Sequence, residues 1–173
     1  IVLGFKQNAF KHKWDVDVIP VTPQLQADEK YDTFILKNGY CGAFLMGFAL
    51  HDEWMNQLKT TTMPTVLFDN YIEHNPNVAY VGTDSYEGID LAIKHLHNLG
   101  HKKIAFINGS LFSLVSDQRQ EAFENSMHDS GLEVYPELMG HGYYIPETAQ
   151  YYVSNFIAAG ATAIVCGSDA IAK

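Results

Sequence analysis

Arg119 is the side chain in this sequence best suited to gripping a small polar ligand. Its guanidinium presents five donors in a fixed fork, a shape that fits paired hydroxyls or a carboxylate. It lies one turn before Phe123 in a helix-period stretch entered from Ser113-Leu114-Val115-Ser116, which aims it at the mouth of a strand-end crevice. From spacing alone the competing reading is a surface ion pair with Asp117, Glu121 or Glu124. The remaining candidates each follow a short apolar run. Asp69-Asn70 follow residues 65–68, Asn108 and Ser110 follow residues 104–107, and Ser168-Asp169 follow residues 164–166. Ligands of open parallel sheets bind outside the carboxyl ends of the strands, so these positions form one candidate set. Asp69 taken alone is equally well a turn residue.

Catalytic signatures are sparse by comparison. No G-x-x-x-x-G-K-[ST] phosphate loop occurs, and Gly140-His141-Gly142 runs into Tyr143-Tyr144 without the third glycine of a dinucleotide fingerprint. Gly167-Ser168-Asp169 lacks the elbow that exposes a serine nucleophile. Of the eight histidines, His95, His97 and His101 are the tightest cluster. On a helix His95 and His97 point about 200° apart, and His101 lies beyond Gly100, so they read as surface imidazoles. Asp28-Glu29 and Asp52-Glu53 stand where helices start, and capping and the helix dipole explain them. The expectation is a chain without cofactor, metal or catalytic activity.

The elements that must position the candidates alternate between strand and helix. Apolar runs at residues 1–5, 16–21, 43–48, 65–68, 78–81, 104–107 and 162–166 are mostly continuous, as in parallel strands buried on both faces. Ile89, Ala92, Ile93 and Leu96 form one helical stripe that Gly100 terminates. A second helix is predicted over about residues 116–128, ending near Gly131, with Ala122, Phe123 and Met127 inward. A third starts at Pro146, buries Ala149, Tyr152, Val153, Phe156 and Ile157, and stops at Gly160. Shorter helices are expected near residues 27–36 and 52–58. Only ten residues separate Phe5 from Val16, too few for a parallel crossover. Either the first helix shrinks to two turns over residues 8–14, or residues are absent there; the second reading is preferred. The pattern as a whole is α/β, with helices on both faces of parallel sheets.

Composition bounds the partners. With 47% hydrophobic and 18% charged residues the chain has the apolar surface to fold. Eleven basic against twenty acidic residues give a net charge of −9, which argues against this segment gripping a phosphate backbone. Cys41 and Cys166 sit in apolar runs and read as reduced, buried thiols of a cytoplasmic protein. No run approaches the ~18 apolar residues of a membrane span, so no membrane partner is expected. The first residues lack the charged start and cleavage site of a signal peptide.

Several motifs keep order and spacing across about two thirds of the chain. They are Pro64-Thr-Val-Leu-Phe-Asp69-Asn70, Val81-Gly-Thr-Asp84-Ser-Tyr-Glu-Gly88, and Gly100-His101-Lys-Lys-Ile104-Ala-Phe-Ile107-Asn-Gly109. Arg119-x-x-Ala122-Phe123, Gly131-Leu132 and Thr162-Ala-Ile-Val-Cys166-Gly-Ser168-Asp169 continue the series. The set resembles the effector-binding domain of the lactose-repressor (LacI) family, and Tyr40-Cys41-Gly42-Ala43-Phe44-Leu45 resembles its strand entry, with Cys41 where Asp is common. The resemblance implies a periplasmic-binding-protein-like fold of two Rossmann-like parallel-sheet lobes, each a three-layer αβα arrangement. Residues 1–80 would form the N-terminal lobe, with an incomplete first crossover. Residues 81–173 would form part of a C-terminal lobe whose remainder is truncated.

The resemblance also implies a function. The chain would be the cytoplasmic sensor of a dimeric transcriptional regulator, a repressor, binding a carbohydrate or similar small polar effector between the lobes. Operator DNA would be read by a headpiece outside the chain, under allosteric control. Asp69 and Arg119 match positions that contact effector hydroxyls. Ser168 stands where the family usually has Asn, Asp169 is retained, and Ser110 follows the same strand-end logic. Asn8 and Phe10 are a weak echo of the family's Asn-Pro-Phe loop after the first strand. The alternative is an extracytoplasmic sugar-binding protein of an ABC transporter, which shares the fold.

Overall fold

A computed structural model describes residues 1–173. Its six strands make two separate three-stranded sheets, both entirely parallel. The N-terminal sheet has the order β1 (Ala43–Met46), β2 (Thr65–Phe68), β3 (Val78–Val81). The C-terminal sheet has the order β5 (Met139–His141), β4 (Ile104–Asn108), β6 (Ala163–Cys166).

The C-terminal sheet is a three-layer sandwich. Every residue of β4 is buried, because its Ile104 and Phe106 face one set of helices and its Ala105 and Ile107 face another. On one side lie α5 (Ser85–Asn98) and α6 (Leu114–Asp129), which contribute Ile89, Ile93, Ala122, Phe123 and Met127. Phe106 and Phe123 stack with ring centroids 4.8 Å apart. On the other side α7 (Pro146–Ala158) contributes Ala149 and Phe156, and the short α8 (Asp169–Ala172) adds Ile171. Gly100 takes φ +90°, a conformation costly for any residue with a Cβ, and so ends α5 as its sequence foretells. Ile157, assigned to the buried stripe of α7, instead faces solvent.

The N-terminal sheet buries one face against α2 (Pro23–Asp28), α3 (Tyr31–Lys37) and α4 (Glu53–Gln57). Trp54 and Tyr31 sit at the centre of this core with Leu45, Leu58 and Leu67. Side-chain bonds lock the three helices together. Gln26 Oε1 accepts from the Trp54 amide at 3.1 Å, Gln57 Oε1 from the Tyr31 amide at 2.7 Å, and the Trp54 indole donates to the Glu29 carbonyl at 2.8 Å.

Four expectations need correction. Residues 1–5 are not a strand: α1 (Val2–Lys11) is a helix, because Val2, Phe5 and Ala9 recur at helical spacing and turn the same way. Phe5 stacks on Phe44 of β1 at 4.8 Å on the sheet face away from α2–α4. A five-residue apolar run does not by itself distinguish strand from helix. Residues 16–21 are irregular, because no strand of the sheet offers them a ladder. With no strands there, the ten-residue crossover problem disappears, and the helix covers Val2–Lys11 rather than residues 8–14. Finally, Cys41 is exposed rather than buried, and only Cys166 is partly covered.

Candidate functional site

Each sheet's central strand runs into an asparagine that shapes the loop beyond it. Asn70, just past β2, donates Nδ2 to the Phe48 carbonyl at 3.1 Å and accepts the Tyr71 amide at 3.0 Å. Asn108, the last residue of β4, donates Nδ2 to the Ser116 carbonyl at 2.9 Å and accepts the Gly109 amide at 2.8 Å. Both side chains are buried, so these two candidates serve the scaffold and fix where neighbouring side chains stand.

Asp69 is partly buried and takes φ +53°. Its amide is held by the Val81 carbonyl at 2.9 Å, which ties it to the end of β3. Its Oδ1 accepts a long bond from the Thr83 amide at 3.4 Å. The close approach needs a residue without a Cβ at Gly82, since a Cβ there would lie 2.8 Å from that oxygen.

Arg119 comes from the second turn of α6 and is partly buried. None of Asp117, Glu121 or Glu124 pairs with it, nor does any other carboxylate. It donates Nη1 instead to the Gly167 carbonyl beyond β6, at 2.5 Å. That bond uses one of five donors. Arg119, Ser168 and Asp169 line one end of a groove of about 660 Å³ that runs between β6 and α5 from Thr83 to Leu96, within the C-terminal sheet and its helices. Thr83 links this groove to the Asp69 carboxylate. Ser168 is the N-cap of α8, where its Oγ accepts from the Ile171 amide at 3.4 Å; Asp169 is exposed in the first turn. The arrangement offers one unpaired cation, carboxylate acceptors and hydroxyls, a set suited to hydrogen-bonding a polyhydroxylated molecule.

The structure separates the remaining candidates. Ser110 is partly buried in the loop after β4. Asn8 and Phe10 sit on helix α1 rather than in a loop after a strand, and Phe10 is 80% exposed. Phe10 lines a separate surface depression with Lys6 and Trp14. Burial raises the Cys166 thiol at the end of β6 above its usual range, which disfavours the reactive thiolate.

Sequence reasoning missed Tyr143 and Tyr144. They follow β5 with φ +53° and +60°, consecutive left-handed residues that carry side chains. Tyr144 lies close against Gly109, and its hydroxyl is 3.2 Å from Ser116 Oγ. Phe112, after β4, also has φ +61°. Of the six non-glycine residues with positive φ, five (Asp69, His74, Phe112, Tyr143 and Tyr144) stand in loops that leave the carboxyl ends of strands. Each costs of order 1–3 kcal/mol, and such strain gathers where function fixes geometry. The signal in sequence is two aromatics directly after Gly142 at the end of a three-residue strand, too short to stand out by hydrophobicity.

Comparison with known proteins bears on this geometry. The periplasmic binding protein domain matches residues 49–173. The HTH-type transcriptional repressor PurR of Haemophilus influenzae is 32% identical over 172 residues, covering 98% of this chain and 48% of that protein. PurR of Actinobacillus pleuropneumoniae serotype 5b is 26% identical over 176 residues, covering 99% of this chain and 52% of that protein. The chain thus spans about half the length of the curated relatives it matches. Among solved structures, the transcription regulator CcpA of Lactococcus lactis superposes with a TM-score of 0.83 at 22% identity, covering 99% of this chain and 63% of that one. A transcriptional regulator CelR solved as a cellobiose complex superposes with a TM-score of 0.84 at 18% identity, covering 98% of this chain and 53% of that one.

Proposed function

The chain belongs to the LacI/PurR family, whose effector domain has the periplasmic-binding-protein fold, and from this premise we propose that it senses a small polar effector for a DNA-binding regulator. In this reading the two sheets are the cores of two lobes, residues 1–80 and 81–173, and the effector sits between their strand ends. Arg119 donates to effector hydroxyls, Asp69 accepts from them, and Ser168, Asp169 and Ser110 complete the polar surround. The observation that carries the reading is the Arg119 guanidinium, which borders a cavity, pairs with no carboxylate and is steadied by a single backbone carbonyl. A cation left unpaired at a cavity is what an incoming acceptor needs. Asn8 and Phe10 have no part in this site.

The reading involves no catalysis. An effector changes the equilibrium between lobe arrangements only through its different affinity for them, and the arrangement sets the spacing of DNA-reading parts in a homodimer. Operator contact is assigned to a part of the protein outside this acidic chain, in the cytoplasm. The exposed apolar side chains of α1, Leu3 and Phe10 among them, support a partner on that helix, and a second copy fits a symmetric regulator. The curated relatives are named as repressors, which favours regulation over transport.

A thermal-shift screen of sugars on the full-length protein tests the proposal, starting with cellobiose, the ligand of the CelR neighbour. A ligand selective for the folded state raises the melting temperature, the stabilisation growing with the logarithm of its concentration once that exceeds Kd. Concentration-dependent stabilisation by a polyhydroxylated compound, rising with the logarithm of its concentration, is expected. Stabilisation by none across a broad sugar panel would overturn a carbohydrate effector.

A further inference from the structure

The two sheets are tied to each other by their strand-end loops as well as by the chain between them. The Leu50 amide, in the loop after β1, donates to the Phe112 carbonyl in the loop after β4 at 2.9 Å. Next to this bond the His51 ring meets the Phe112 ring edge-on, with centroids 5.2 Å apart at 85°. We propose that Leu50, His51 and Phe112 form a releasable strap that sets how far apart the two strand-end rims stand.

Side-chain hydrogen bonds fix the backbone on both sides of the strap. On one side Asp52 accepts the Ala49 amide at 2.8 Å, and Asn70 holds the Phe48 carbonyl. On the other, Asn108 holds the Gly109 amide and the Ser116 carbonyl. The strap itself lies at the surface, with Phe112 62% and Leu50 41% exposed. Releasing it therefore uncovers neither hydrophobic core. Phe112 also keeps φ +61°, a conformation that persists in a non-glycine residue only while its surroundings impose it. Ring contact and hydrogen bond hold the strap shut while the backbone strain favours release, so small changes tip the balance.

Identifying the strapped form with the effector-holding form rests on the proposed function; the strap itself does not. The test is hydrogen exchange at single amides in the full chain, without ligand. Leu50 reports the strap, and Ala49, bonded within its own loop, reports loop integrity. His51→Ala and Phe112→Ala remove the ring contact and keep the strain, so the Leu50 amide should exchange about tenfold faster while Ala49 does not change. Phe112→Gly removes both ring and strain and should fall between Phe112→Ala and the parent. Unchanged Leu50 exchange in Phe112→Ala, or Leu50 and Ala49 accelerating together, overturns the strap. Because no effector is added, failure here leaves the effector reading standing, and an empty sugar screen leaves the strap standing.

Discussion

Asn70 and Asn108 do the same work at the ends of the central strands of two different sheets. Each donates its side-chain amide to a carbonyl across the strand-end loop, and each accepts the backbone amide of the next residue. The rim of the candidate site is thereby shaped by buried hydrogen bonds rather than by packing. Asn108 is the more deeply set, since its partners Gly109 and Ser116 are buried too, whereas Tyr71 is exposed. Asn108→Ala leaves the buried Gly109 amide without its acceptor, at a cost of about 1–3 kcal/mol. Denaturant unfolding should show Asn108→Ala as more destabilising than Asn70→Ala. Equal losses would mean that water reaches the Asn108 loop.

Arg119 should matter for binding and little for folding. Its bond to the Gly167 carbonyl is partly exposed, and no carboxylate is left stranded when the guanidinium is removed. Hydrogen bonds to a charged group are worth about 1.5–3 kcal/mol, so Arg119→Ala should weaken effector affinity by about 10–150-fold. Calorimetry with a stabilising sugar reads the affinity, and a melting curve without ligand reads the fold. Undiminished affinity would take Arg119 out of the site. Arg119→Lys should recover only part of the loss, because an ammonium lacks the planar fork.

Much of the fold was legible in the sequence because its elements carry strong local signals. The α5 stripe of Ile89, Ile93 and Leu96, the Gly100 stop and the run around Phe106 each point to one structure. The first twenty residues are not legible in the same way, because residues 1–5 and 16–21 are apolar runs too short to fix a period, and a strand exists only where a neighbour pairs with it. The three-residue β5 escaped notice for the same reason of length. In the candidate site, Ser168 and Asp169 are legible from their place at a strand end and Arg119 from its place one turn before Phe123 on a helix, and the three share one cavity. What stayed illegible was conformation. Nothing in the letters Phe112, Tyr143 or Tyr144 announces a left-handed backbone, which only the surrounding loops impose.

The two thiols should differ in reactivity. Cys41 is exposed at the entry to β1, whereas Cys166 is partly covered and burial raises its thiol above the usual range. The thiolate is the reactive form, so alkylation near pH 8 should label Cys41 first, with Cys166 following slowly. Peptide mapping after brief iodoacetamide treatment distinguishes the two. Equal labelling would mean that the end of β6 opens readily, and a cavity bounded by Gly167 and Ser168 would then be poorly fixed.

Tyr31 links the N-terminal core to alkaline stability. Its hydroxyl lies 2.6 Å from Thr65 Oγ1, and Thr65 Oγ1 donates onward to the Met63 carbonyl at 2.9 Å. A hydroxyl has one proton to give, so Tyr31 must donate and Thr65 accept. Burial, with a smaller push from the Asp32 charge, raises the Tyr31 hydroxyl from its ordinary 10.0 to about 12. Below pH 10 the folded and unfolded chains both keep the proton, and the contact contributes fully. Between pH 10 and about 12 the unfolded chain loses it while the folded chain holds it, so stability falls as pH rises. Tyr31→Phe should cost about 1 kcal/mol at neutral pH by leaving the Thr65 acceptor unpaired, and it should flatten the decline above pH 10. Melting temperatures of both proteins from pH 8 to 11.5 provide the comparison. Parallel curves would mean that Tyr31 ionises equally in both states and that its hydroxyl reaches water.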